Sequence, residues 1–171
     1  MIFLRISARV CFAVLSLAGM LALPHISPAQ SSAKSVERVV ALRAEPGELS
    51  VYEISFVTQA LIPKDAAFVL SFPDSCDLSQ LQMAGSNQIN GGFRVEKDGT
   101  IVRVIRSALG DVIPAGRPVA IRLGAIVNPK DLESRLSIRF QSQASSSAAL
   151  GSTRSLPLIF ESPSSKQQLE D

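Results

Sequence analysis

The stretch "IPAGRPVAIRLGAIVNP", residues 113–129, repeats the pattern of an earlier one, "IPKDAAFVLSFP", residues 62–73. Both open with Ile-Pro and run into a segment whose alternate residues are apolar. Aligned on the dipeptide, Phe68 stands with Val119, Leu70 with Ile121 and Phe72 with Leu123. Residues two apart on a strand point to the same face. Each copy therefore reads as a corner set by proline that feeds a strand with one buried face. Two equivalent entries into one core explain the echo without a ligand. A solenoid would need three or more copies.

The same period of two recurs along the chain. "SVYEISFVT" places Tyr52, Ile54 and Phe56 on one face, "RLSIRFQ" places Leu136, Ile138 and Phe140, and "SLPLIFE" places Leu156, Leu158 and Phe160. "VERVVALR", residues 36–43, is a less regular strand because neither of its faces is cleanly apolar. Asp98-Gly99, inside "GFRVEKDGTIVRVIR", is a hairpin signal, since a type I′ turn needs positive φ at both central residues. A loop of those two residues pairs Lys97 with Thr100, Val95 with Val102 and Phe93 with Val104. It also sets Arg94 across from Arg103, with Ile101 and Ile105 on the same outer face.

No window of ten or more residues carries a helical period, though "PKDLESRL", residues 129–136, allows one turn between strands. Pro157 inside the last strand predicts an edge position there, because proline donates no ladder hydrogen bond. "SQASSSAALGST", residues 142–153, reads as a flexible loop. The expected fold is all-β, a β-sandwich of about seven to eight mostly antiparallel strands over residues 36–161.

The flanks read differently. Arg5 and Arg9 precede the apolar run "VCFAVLSLAGMLAL", residues 10–23, which is followed by small residues up to Ala29. A run of that length reaches only ~21 Å against a hydrocarbon core of ~30 Å, so it predicts a cleaved secretory signal peptide over residues 1–29. Residues 30–35 and 162–171 read as disordered segments. The expected location is exported, periplasmic or extracellular, with no membrane span in the mature chain.

Loss of the leader removes Arg5 and Arg9, so 17 basic residues become 15 against 15 acidic ones. A chain without excess charge has no overall attraction for nucleic acid or anionic lipid. His25, the only histidine, leaves with the leader, and Cys76 becomes the only cysteine. Zinc and copper sites need such ligands. Asp74, Asp77, Asp98 and Asp111 match no calcium loop in their spacing. A serine nucleophile lacks its usual histidine base. No cofactor and no catalytic site are expected.

Cys76 has two readings: a buried small apolar side chain, or an intermolecular disulfide in an oxidising compartment. Its neighbours Asp74 and Asp77 would raise the thiol pKa, against a reactive thiolate. Carbohydrate platforms use exposed aromatic rings. This chain has no tryptophan, and Tyr52, Phe56, Phe68, Phe72, Phe93, Phe140 and Phe160 all fall on predicted core faces. Arg94, Arg103, Arg106 and Arg122 form a candidate basic patch or an ordinary solvated face. The outer residues Arg94, Ile101, Arg103 and Ile105 are the candidate interaction surface: either a neighbouring loop covers the isoleucines, or they form an apolar patch with a charged rim.

"ISFVTQALIPKDAAFVLSFP" followed by "VIPAGRPVAIRLGAIVNP" resembles the immunoglobulin-like modules of bacterial secreted and surface proteins. Phe72-Pro73 and Asn128-Pro129 hold the two punctuation points of that pattern, over about residues 49–129. The resemblance implies an immunoglobulin-like sandwich whose role is adhesion, spacing or assembly. The function expected is thus a non-catalytic structural or adhesive module that binds another envelope or extracellular protein. A carbohydrate- or other ligand-binding sandwich is the alternative.

Overall fold

The computed structural model describes residues 37–132 and 135–161. The expected leader (1–29), the segment 30–35 and the tail 162–171 lie outside the described residues, as does part of the 129–136 turn. The strands are β1 Arg38–Ala41, β2 Leu49–Val57, β3 Ala67–Ser71, β4 Ala84–Gly85, β5 Phe93–Asp98, β6 Ile101–Arg106, β7 Pro118–Val127, β8 Ser137–Gln143 and β9 Arg154–Phe160. No helix occurs among the described residues, so none is long and apolar enough to cross a membrane.

The hydrogen-bonded order is β4-β7-β2-β1-β9-β8-β3-β6-β5. β9 joins the two layers. Its first half pairs antiparallel with β8, Ser137 against Pro157, and its second half pairs parallel with β1, Val39 against Leu158. This corrects the edge position expected from Pro157. The proline sits inside the sheet order, where the strand changes partners. Leu158 N–H bonds Leu136 C=O at 2.9 Å, so the proline nitrogen points to the other side, where the ladder to β1 has only begun.

Alternation builds the core as the sequence predicts. Tyr52, Ile54 and Phe56 of β2, Phe68 and Leu70 of β3, Phe72 just beyond it, and Val119, Ile121 and Leu123 of β7 are all buried. The two layers interlock through aromatic rings. Phe56 of one layer meets Phe140 and Phe68 of the other, with centroids 4.4 and 5.5 Å apart. Each such side chain gains about 1.5–3 kcal/mol on leaving water, plus up to about 1.5 kcal/mol for each ring pair.

The Ile-Pro echo has a structural counterpart. Ile62 and Ile113 face each other in an isolated antiparallel bridge, both buried. β3 then enters one layer and β7 the other, so the two copies are the paired corners at which the chain enters both halves of the sandwich. Arg106 ties these corners down. Its guanidinium donates to the carbonyls of Ile62, Pro63 and Asp111, with the Pro63 contact at 2.6 Å.

The β5–β6 register differs from expectation. Asp98 pairs with Ile101, Lys97 with Val102, Val95 with Val104 and Phe93 with Arg106. The two-residue loop is Gly99-Thr100, and within it only Gly99 has positive φ, +56°. Glycine at the first central position suits a type II′ turn, so the loop starts one residue later than a type I′ turn at Asp98-Gly99 would. The displacement moves the pairing by two residues, which preserves the faces. It also replaces the expected Arg94–Arg103 clash by Glu96 opposite Arg103.

Candidate interaction surface

The outward residues of β8, β3, β6 and β5 form a regular grid. One row runs Arg94, Ile105, Ala67, Gln143; the next Glu96, Arg103, Val69, Gln141; the third Asp98, Ile101, Ser71, Arg139. Ile101, Val69 and Ile105 lie on adjacent rows as an apolar stripe. Ile101 is 40% exposed, while Ile105 and Val69 are half-buried by their neighbours in the grid. Charges and amides surround them. Arg94 pairs with Glu96 at 3.0 Å, and Arg103 reaches Gln143 Oε1 at 3.5 Å. Arg94, Ile101, Arg103 and Ile105 are thus on one face. The sequence reading missed Val69, Gln141 and Gln143, because it treated the hairpin without its neighbours β3 and β8.

The basic patch is not assembled. Arg106 turns inward and is buried, and Arg122 lies on the other layer, bonded to Glu53 at 2.7 Å. Burial presses the Arg106 pKa down, opposed by Asp111 and Asp65. The signal for its burial was present: Arg106 shares parity with Val102 and Val104. A second apolar patch, also unnoticed, lies on the opposite layer, where Leu42, Leu49 and Val51 border a β-bulge at Gly124-Ala125.

Cys76 is buried and free, packed in the core beside the Tyr52 hydroxyl. Burial is what pushes its thiol upward, whereas the hydroxyl pulls the other way; Tyr52 itself is raised by burial and by the thiol. Asp74 and Asp77 point to solvent, and Asp77 is lowered by the Ser79 N–H that it accepts at 2.8 Å. An intermolecular disulfide through Cys76 would require this segment to open.

A shallow cleft of about 370 Å³ lies between residues 86–90 and 111–119, lined by groups including Asn87, Gln88, Asp111 and Arg117. Its walls are held close: a Cβ on Gly110 would stand 2.1 Å from Asn90 C=O. No aromatic ring lines it. Among the described residues no group of three or more acidic, cysteine or histidine side chains is placed to hold a metal.

No protein-family model and no curated protein matches the sequence significantly. Solved structures do match. A non-cellulosomal cohesin from the hyperthermophilic archaeon Archaeoglobus fulgidus is 11% identical, with 80% of this chain and 100% of that chain covered and a TM-score of 0.42. The sixth cohesin of Acetivibrio cellulolyticus scaffoldin B is 11% identical, with 74% and 99% covered and a TM-score of 0.44. A Nocardia farcinica protein described as having an immunoglobulin-like fold is 16% identical, with 72% and 97% covered and a TM-score of 0.37. The likeness in each case is one of chain fold. The described chain is an all-β sandwich of nine strands.

Proposed function

We propose that this chain is an exported, non-catalytic module that docks another envelope or extracellular protein on the outer face of the β8-β3-β6-β5 layer. The observation that carries this reading is the Ile101–Val69–Ile105 stripe, with Arg103 between the two isoleucines and Arg94, Glu96 and Arg139 on the flanking strands. An apolar centre with a charged and amide rim is the common anatomy of a protein-binding patch. The leader read from residues 1–29 supports export. A carbohydrate site is the weaker reading, because neither this face nor the cleft beside Asp111 presents an aromatic ring.

Site-specific photocrosslinking in the expressing cell tests the proposal. A benzophenone side chain at Ser71, beside Ile101 on the same face, should give an adduct with one protein, and the same group at Arg122 on the opposite layer should not. Equal adducts at both positions would sink the reading. So would no adduct at either, together with binding on a glycan array.

A further inference from the structure

β5 is the last strand of its layer, so one of its hydrogen-bonding edges meets no other strand among the described residues. Neighbouring bonds fix which residues carry that edge. Arg106 N–H bonds Ala66 C=O and Phe72 N–H bonds Thr100 C=O, each at 2.9 Å, so even-numbered residues of this register bond between β6 and β3. Successive residues direct their backbone groups to opposite sides, so Ile101, Arg103 and Ile105 bond toward β5. Their partners Asp98, Glu96 and Arg94 bond inward, which leaves the N–H and C=O of Phe93, Val95 and Lys97 directed outward.

A second copy of β5 can add antiparallel only with its outward residues facing these. Few two-fold centres satisfy that condition. Centring on Arg94, Glu96 or Lys97 sets a charge against its own copy, which is unfavourable. Centring on Val95 places Arg94 opposite the second copy's Glu96 and Glu96 opposite the second copy's Arg94. Those contacts fall at non-hydrogen-bonded positions, where Cα atoms lie about 4.5 Å apart and side chains are closest. Phe93 with Lys97, and Val95 with itself, take the hydrogen-bonded positions. Arg94 and Glu96 are already paired at 3.0 Å with side chains 70% and 48% exposed, so both are accessible to a second pair of opposite charges. Edge charges usually keep strands apart; here their order disfavours centring on Arg94, Glu96 or Lys97, a centre on Phe93 would pair no other residue of the two β5 strands, and the centre on Val95 is favoured.

We propose that the protein forms a two-fold dimer by antiparallel pairing of β5 with the second copy's β5, centred on Val95. The two layers then become one continuous sheet. A two-fold axis perpendicular to that sheet puts both Ile101–Ile105 stripes on the same side. The inference stands on the edge geometry and does not rest on the binding role of that face.

Sedimentation equilibrium at high micromolar concentration tests it with the mature chain. The wild type should be a dimer. Glu96→Arg sets arginines against arginines and should raise the dimer dissociation constant by about tenfold or more. The swap Arg94→Glu with Glu96→Arg should restore dimerisation. Val95→Pro should abolish it while the far-UV spectrum is kept, because the N–H it removes faces outward and serves no native ladder. A monomeric wild type overturns the proposal. A dimer unaffected by all of these variants overturns it equally, since another surface would then hold it.

Discussion

Ile62 and Ile113 exchange both backbone hydrogen bonds, at 2.9 and 3.0 Å, and Arg106 grips the carbonyl of Ile62 from the side. Two loops distant in sequence are joined there before their strands part into separate layers. The neighbouring Thr58 reinforces the join: its hydroxyl donates to Pro114 C=O at 2.6 Å and accepts from Arg117 N–H at 3.0 Å.

Arg106→Ala should lower stability by about 2–4 kcal/mol, because the buried Ile62 carbonyl and the partly buried Pro63 and Asp111 carbonyls lose their donor. Arg106→Lys should recover less than half of that, since an ammonium cannot supply the planar fork. Urea midpoints of the three proteins check this. An alanine variant as stable as wild type would show that the clamp contributes nothing.

Asn128 is a second internal tie. It accepts from Tyr52 Oη at 2.9 Å and donates to Arg43 and Glu45 carbonyls at 2.8 and 2.9 Å. Asn128→Ala should cost about 2–4 kcal/mol, and Tyr52→Phe about 1 kcal/mol, by removing one of those bonds. Chemical denaturation of both variants should return that ranking.

The turn assignment has its own test. Gly99→Ala meets open space, yet it must hold φ near +56°, so it should destabilise by about 1 kcal/mol. Asp98→Ala should change stability by no more than about 0.5 kcal/mol, because Asp98 belongs to β5 and not to the loop. Equal losses at the two positions would restore the Asp98-Gly99 turn.

Much of this fold was legible because alternation is a local signal: Phe68, Leu70, Val119 and Ile121 declare their faces without reference to the rest of the chain. The β1–β9 parallel pair was not, since Val39 and Leu158 meet only through long-range closure. β4 is two residues long and leaves no period to read. The hairpin faces survived a wrong turn type because the slip was even. For the candidate surface, Arg94, Ile101, Arg103 and Ile105 were readable from hairpin parity. Val69 and Gln141 required knowledge of which strands flank β6 and β3.

Alkaline pH should weaken the fold. Cys76 and Tyr52 both have folded-state pKa values raised above 9.0 and 10.0, mainly by burial. For an acid raised in the folded state, stability is intact below the unfolded pKa and falls as pH rises toward the folded one. Denaturant midpoints should therefore be flat from neutral pH to about 9 and decline above it. Cys76→Ala should remove the part of the decline that begins near 9. The wild-type thiol should also react slowly with a disulfide reagent until the protein is unfolded, and a fast native reaction would contradict its burial.

The binding face is tested most directly by the affinity of the crosslinked partner, once purified, for two charge variants. Ile101→Glu places a carboxylate in the apolar stripe, while Leu42→Glu places one on the opposite layer at a residue of similar exposure. Isothermal titration should show at least a tenfold weaker complex for Ile101→Glu and an unchanged one for Leu42→Glu, with both variants folded. Unchanged affinity in Ile101→Glu, or a loss confined to Leu42→Glu, would contradict the account.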